Sequence, residues 1–269
     1  MAREKKSPFV LWHLLSLDAP TVAALWTWFI AAACHFPLPF SSIVSMFVAV
    51  WILYAADRLL DTEDLEPRHL FHQRHRTLFL TGIVLACITL AVLLPRIPAE
   101  AIHLYLVLGG LVFGYFVLIH ATRSAHRLPK ELAVGIFFAA AIFIPTIARR
   151  PELRPALLAP ALLFAMLCSL NCLFIYAWEH ATSRSSHPPH ATTRAALHHL
   201  PALAVFNAIA AAALALFDRR SPRPISSAIA LSALILLTLH LTRRRFSPLT
   251  LRAAADLALL TPLLFLPLL

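Results

Sequence analysis

Long apolar segments separated by short polar loops dominate this 269-residue chain and constrain its fold more than any other feature. A helix needs about 20 apolar residues to cross a hydrocarbon core of about 30 Å. Only 13% of the residues are charged, against about 25% in soluble domains. The sequence therefore predicts a single integral membrane domain over residues 1–269, an all-α polytopic bundle of about nine transmembrane helices. The predicted spans are 19–36, 39–57, 77–95, 100–120, 130–148, 157–179, 195–217, 224–242 and 250–269.

The N-terminal segment 1–18 is expected to lie in the cytoplasm and at the membrane interface, with a short interfacial helix over 8–17. Asp18 is expected to be the N-cap of the first span, with Pro20 in its first turn. Most of the 23 lysine and arginine residues fall on the N-terminal side of the membrane in this topology. The positive-inside rule then predicts a cytoplasmic N-terminus in a plasma or inner membrane. The same rule accounts for the net charge of +10 without a nucleic-acid partner.

Isolated polar residues inside the spans have simpler expected roles. The four cysteines lie in apolar runs, which predicts packing rather than disulfides. Asp256 is a lone acid in the last predicted span, and it is expected to pair with Arg252, one helical turn away.

Five of the 13 acidic residues fall within 57–66, where the second span ends. Asp57, Asp61 and Asp64 share one face of a helix. The helix dipole and the repulsion between like charges both disfavour carboxylates at this place. A divalent cation such as Mg²⁺ would offset these costs, and so would internal ion pairs at a solvated helix end. The spacing alone leaves both readings open.

Two further groups fall at the same membrane level. Asn171 and Glu179 lie on one face of the sixth span, and polar groups in a span usually face the bundle interior. Arg123, Arg127 and Lys130 give the loop after the fourth span a positive charge. This charge is typical of the cytoplasmic side, and it also suits a departing diphosphate.

This arrangement resembles the UbiA superfamily of intramembrane prenyltransferases. The segment "LYAADRLLD" is similar to the first acidic motif of that family, with Asp57, Arg58 and Asp61 in place and Leu53 where the family has asparagine. The segment "NCLFIYAWEH" retains the Tyr-Ala of the second motif but has only Asn171 and Glu179 in place of an aspartate pair. The basic loop resembles a third family segment.

The resemblance implies a UbiA-like fold and a Mg²⁺-dependent transfer of an isoprenoid chain from an allylic prenyl diphosphate to an aromatic or other lipophilic acceptor in the bilayer. It implies that Mg²⁺ is the cofactor, that the site lies on the cytoplasmic side, and that the bundle interior holds the prenyl chain. The implied catalytic residues are Asp57, Asp61 and Glu179, which also bind the metal together with Asp64. The implied diphosphate-binding residues are Arg58, Arg123, Lys130 and Asn171.

Two alternatives remain. The altered motifs are compatible with a UbiA-like protein that binds an isoprenoid lipid without catalysis. Histidines on the same side of the membrane are compatible with a metal-handling transporter, since imidazole suits Zn²⁺ and Cu²⁺. These histidines are His69, His72, His75, His180, His187, His190, His198 and His199.

Overall fold

The computed structural model describes residues 8–60, 67–121, 130–179 and 191–269, and within them every regular element is helical. The helices are α1 (Pro8–Leu14), α2 (Asp18–Ala33), α3 (Phe40–Leu60), α4 (Pro67–Arg74), α5 (Arg76–Leu93), α6 (Ala99–Ala121), α7 (Lys130–Arg149), α8 (Arg154–Glu179), α9 (Ala191–His198), α10 (Leu200–Phe217), α11 (Arg223–Thr242) and α12 (Pro248–Leu257). A 3₁₀ helix, Ala258–Leu268, continues the chain after α12. The all-α prediction is confirmed.

Seven helical segments of the described chain are long and apolar enough to cross a membrane. The protein is therefore an integral membrane protein, but the predicted number of nine spans is not confirmed. The predicted span 19–36 corresponds to α2, which has 16 residues and is shorter than a full crossing requires. The predicted span 100–120 corresponds to α6 (Ala99–Ala121), in which the apolar stretch Ala99–Tyr115 is shorter than the seven spans above.

The core of the bundle forms around α2. Trp26 and Phe29 are fully buried, and the Trp26 ring lies 4.3 Å from the ring of Phe164 on α8. The indole N–H of Trp26 donates a 2.7 Å hydrogen bond to the carbonyl of Leu259, just beyond α12. Contacts with α3, α7 and α11 complete the surroundings of α2, so this short helix serves as the central packing element.

By contrast, α5 faces outward. Phe79 is its one buried residue, and apolar side chains such as Leu85, Ile88 and Val92 are exposed. An exposed apolar surface of this extent is stable against lipid chains. The chain directions place Asp18, Arg58, Lys130 and Glu179 at one end of the bundle, which we call the charged end.

The closest helix contact along α7 is made at Gly135. A Cβ atom at this position would lie 2.7 Å from the Cα of Ser169 and would also overlap its backbone nitrogen and its hydroxyl oxygen. Only glycine therefore allows α7 to approach α8 so closely.

Replacing Gly135 by alanine is expected to lower the free energy of unfolding by about 1–3 kcal/mol, because the added methyl forces two backbones apart. Gly110→Ala is the matched control, since nothing lies within 4 Å of a Cβ there and alanine is the better helix former. Thermal unfolding in detergent compares the two. Equal melting temperatures for the two variants would contradict the close contact.

Candidate functional site

Asp57 and Arg58 are adjacent in the sequence, but their side chains point in different directions. Asp57 is exposed on α3, whereas the Arg58 side chain is buried and 3% exposed. Successive helical residues point about 100° apart, which explains this opposite placement. Asp61, Asp64 and Arg123 lie outside the described residues.

Arg58 holds together the turn between α1 and α2. Its guanidinium donates a 2.9 Å hydrogen bond to the carbonyl of His13 and a 2.7 Å hydrogen bond to the hydroxyl of Ser16. Its other nitrogen lies 3.8 Å from the carboxylate of Asp18. Ser16 has a φ of 58°, a left-handed conformation that costs energy in a non-glycine residue. Arg58 therefore stabilises a strained turn and compensates a buried charge.

Asn171 and Glu179 both face α12, as residues on one helix face do. The amide nitrogen of Asn171 donates a 3.3 Å hydrogen bond to Asp256, and Glu179 forms an ion pair with Arg252. The prediction that Arg252 would be the partner of Asp256 is therefore corrected. On α12, Asp256 therefore binds the amide of Asn171, and Arg252 binds the carboxylate of Glu179.

A buried cluster at the charged end was not predicted. The Nδ1 of His13 lies 2.6 Å from Oδ2 of Asp18 and 4.0 Å from Oδ2 of Asp256. Within the described chain, these three form the one group of His, Cys, Asp or Glu side chains close enough to hold a metal ion.

Asp18 was expected to cap a helix, and this prediction is wrong. Leu17 occupies the N-cap position without a side-chain cap, and Asp18 is buried in the first turn of α2 beside His13. The sequence did contain a signal for this cluster. Asp18 and Asp256 are lone acids in otherwise apolar segments, and acids inside a membrane rarely lack a partner.

A cavity of about 700 Å³ lies between α3, α5, α6 and α7. Its wall is almost entirely apolar, and residues such as Leu90, Val112 and Phe138 contribute to it. Lys130 lines it at the charged end and Arg149 lines it at the opposite end of α7. A space of this size and lining suits a long apolar ligand with one charged group.

Tyr54 connects the cavity with the buried cluster. Its side chain lines the cavity, and Arg58 on the same helix lies 3.8 Å from Asp18 of the cluster. Since Tyr54 precedes Arg58 by one helical turn, both side chains follow the same face of α3.

The donor atoms that could hold Mg²⁺ fit the ion in part. Asp57 presents an exposed carboxylate, the ligand type that Mg²⁺ prefers. The amide oxygen of Asn171 also lacks a hydrogen-bond partner among the described residues, but it is buried on a residue that binds Asp256, whereas Asp57 is exposed. Glu179 is already paired with Arg252, so it would have to exchange this partner for a metal.

The histidines of the transporter alternative form no such group within the described residues. His72 bonds to the hydroxyl of Ser16 at 3.0 Å and stacks on Phe79, and the His75 ring bonds to the carbonyl of Phe71. His198 and His199 contact each other's rings. The side chains of His69, His180, His187 and His190 lie outside the described residues.

Comparison with known proteins gave no family model, no curated protein and no solved structure that matches this chain.

Proposed function

We propose that this chain is a UbiA-like, Mg²⁺-dependent intramembrane prenyltransferase that moves an isoprenoid chain from an allylic prenyl diphosphate to an aromatic or other lipophilic acceptor. The apolar cavity carries the proposal, because it reaches Lys130 at the end of the bundle where α3 presents Asp57. The cavity suits a prenyl chain, and the charged end suits its diphosphate. By the charge asymmetry, this end faces the cytoplasm of a plasma or inner membrane.

In this proposal Asp57, with Asp61 and Asp64 from the following segment, would hold Mg²⁺. A bound Mg²⁺ supplies positive charge that favours departure of pyrophosphate. Lys130 and Arg123 add positive charge at the diphosphate. Arg58 acts indirectly, by holding the turn at the charged end, and Glu179 contributes once Arg252 releases it.

The cavity wall would perform the second part of the reaction. Apolar side chains keep water away from the allylic carbocation, which would otherwise be captured as a prenyl alcohol. The acceptor then forms a carbon bond to the cation and loses a proton.

Binding of an isoprenoid lipid without catalysis is the second candidate. The ion pairs that occupy Arg58 and Glu179 favour it, because both side chains bind protein partners in the described structure. A cavity without a complete metal site would still accommodate the chain.

Asp57→Asn is expected to lower Mg²⁺-dependent pyrophosphate release by about 100-fold or more, because metal charge stabilisation supplies several kcal/mol. Release is measured from geranyl, farnesyl and longer diphosphates with a panel of acceptors. Glu100→Gln is the matched control, since this exposed carboxylate pairs with Arg154 at the opposite end.

The outcomes separate the candidates. A wild-type protein that binds the prenyl diphosphate but releases no pyrophosphate would exclude the transferase and support the binding protein. Absence of both binding and release would exclude both and favour transport.

A further inference from the structure

Among the residues that the structure describes, the buried cluster at the charged end contains two acids and one permanent cation. The side chains of His13, Asp18 and Arg58 are no more than 4% exposed, and that of Asp256 is 15% exposed. The carboxylates of Asp18 and Asp256 lie within 4.8 Å of each other. Two negative charges at this separation in a low-dielectric interior repel strongly, and Arg58 compensates only one of them.

One bound proton makes the cluster neutral, whereas a divalent cation would leave an excess positive charge. The 2.6 Å contact between His13 and Asp18 is a direct hydrogen bond, and it leaves no room for an ion between them. Asp256 accepts a hydrogen bond from the neutral amide of Asn171, and Arg58 donates one to the neutral hydroxyl of Ser16. A proton therefore explains the geometry better than a metal does.

The contacts decide which acid is ionised. Asp18 receives the short hydrogen bond from His13 and lies beside Arg58. Asp256 accepts a hydrogen bond from the amide of Asn171, lies 4.0 Å from His13, and has a carboxyl oxygen within 4.8 Å of that of Asp18. Asp18 therefore carries the negative charge, and Asp256 is the better place for the proton.

Charged and titratable groups approach this pair from every helix that packs around it. His13 belongs to α1, Tyr54 and Arg58 to α3, Cys172 to α8, and His72 of α4 lies behind Ser16. Lys130 and Glu131 of α7 act on Cys172 with opposite signs. Among the described residues, Arg58 is the one arginine or lysine within 4 Å of either acid.

We propose that Asp256 holds a proton hydrogen-bonded to the ionised Asp18, and that this pair exchanges protons with the apolar cavity through Tyr54. Tyr54 is the route because its side chain lines the cavity and lies one helical turn from Arg58, whose guanidinium is 3.8 Å from the carboxylate of Asp18. The site is a proton-binding site inside the membrane protein, at the junction of α2, α3 and α12.

The role of this site in catalysis rests on the proposed function. When the acceptor forms its bond to the prenyl cation, its X–H bond breaks and one proton must leave an apolar cavity. Tyr54 takes up that proton on its oxygen while it passes its own hydroxyl proton to the Asp18 carboxylate, so that charge and atoms balance. The pair would act as the proton acceptor of the transfer.

The location of the proton is tested with two isosteric variants. Asp256→Asn replaces a neutral acid by a neutral amide, and its melting temperature should stay within about 3 °C of wild type. Asp18→Asn removes a buried carboxylate beside Arg58 and should lower the melting temperature by about 10 °C. The reverse order, or equal losses, would overturn the assignment.

Infrared spectroscopy of the full-length protein in lipid gives the direct measurement. A carboxylic-acid C=O band that shifts in D₂O should be present at neutral pH, absent in Asp256→Asn and retained in Asp57→Asn. Tyr54→Phe should retain the band and slow its exchange by about tenfold or more. A missing wild-type band, a band that survives Asp256→Asn, or unchanged exchange in Tyr54→Phe would each overturn the proposal.

The catalytic role has a separate readout. Tyr54→Phe should shift the products from alkylated acceptor towards prenyl alcohol, with each product expressed as a fraction of the pyrophosphate released. An unchanged product ratio would overturn the role of Tyr54 as the proton route. Failure of the wild-type protein to release pyrophosphate would instead contradict the proposed function, and the infrared and melting results would still decide whether the proton site exists.

Discussion

Arg58→Met is expected to lower the free energy of unfolding by about 3–5 kcal/mol, because removal of one partner leaves the other charge buried and uncompensated. The described groups that lose a partner in this variant include the Asp18 carboxylate, the carbonyl of His13 and the hydroxyl of Ser16. Methionine has a similar length and preserves most of the packing. The loss therefore reports charge and hydrogen bonding rather than volume.

Chemical or thermal unfolding in detergent measures this effect, and Arg154→Met is the control. Arg154 forms an ion pair with Glu100, but both side chains are about half exposed. Exposed pairs contribute about 0–1 kcal/mol. A loss for Arg58→Met no larger than that of the control would contradict the buried network at the charged end.

The second prediction concerns the length of the chain that the cavity accepts. Gly109 lines the cavity near the middle of α6, and nothing lies within 4 Å of a Cβ placed there. Gly109→Phe should therefore fill the cavity without disturbing the helix packing. Burial of one CH₂ contributes about 0.8 kcal/mol, so displacement of a five-carbon isoprene unit costs about 4 kcal/mol.

This cost corresponds to about a 1,000-fold loss of affinity for long prenyl diphosphates. Short donors such as geranyl diphosphate, whose chain ends before Gly109, should bind as before. The measurement is equilibrium binding of a series of prenyl diphosphates of increasing length.

Gly110→Phe is the matched control. Gly110 is the adjacent residue, has equally open surroundings, is exposed and does not line the cavity. It should bind the whole series like wild type. If both variants bind long donors equally well, the chain does not occupy this cavity and the proposed function loses its main support.

The helical organisation could be predicted closely from the sequence. The predicted segments 39–57, 130–148 and 224–242 correspond to α3, α7 and α11 within a few residues at each end. The interfacial helix predicted over 8–17 is observed as α1, Pro8–Leu14. Such boundaries are local, because prolines, charged residues and the length of each apolar run set where a helix begins and ends.

The partners of the polar residues could not be predicted in the same way. Asp256 was assigned to Arg252 on its own helix, but in the structure it meets Asn171, which is 85 residues away in the chain. Asp18 resembled a helix cap, but it faces inward and binds His13 and Arg58. Helical spacing shows which residues share a face, and it does not show what that face meets.

The sequence by itself determined an all-helical integral membrane protein with its charged groups gathered at the helix ends. These properties follow from the length of the apolar segments and the spacing of the polar residues, since lipid requires every backbone group to be hydrogen-bonded within its own helix. The tertiary structure alone decided that Arg58 turns inward while Asp57 faces outward, that Asp18 lies near Asp256, and that Tyr54 lines a cavity one helical turn from Arg58. These contacts depend on how α1, α3, α8 and α12 pack around α2, and that packing is set by close contacts between residues far apart in the chain.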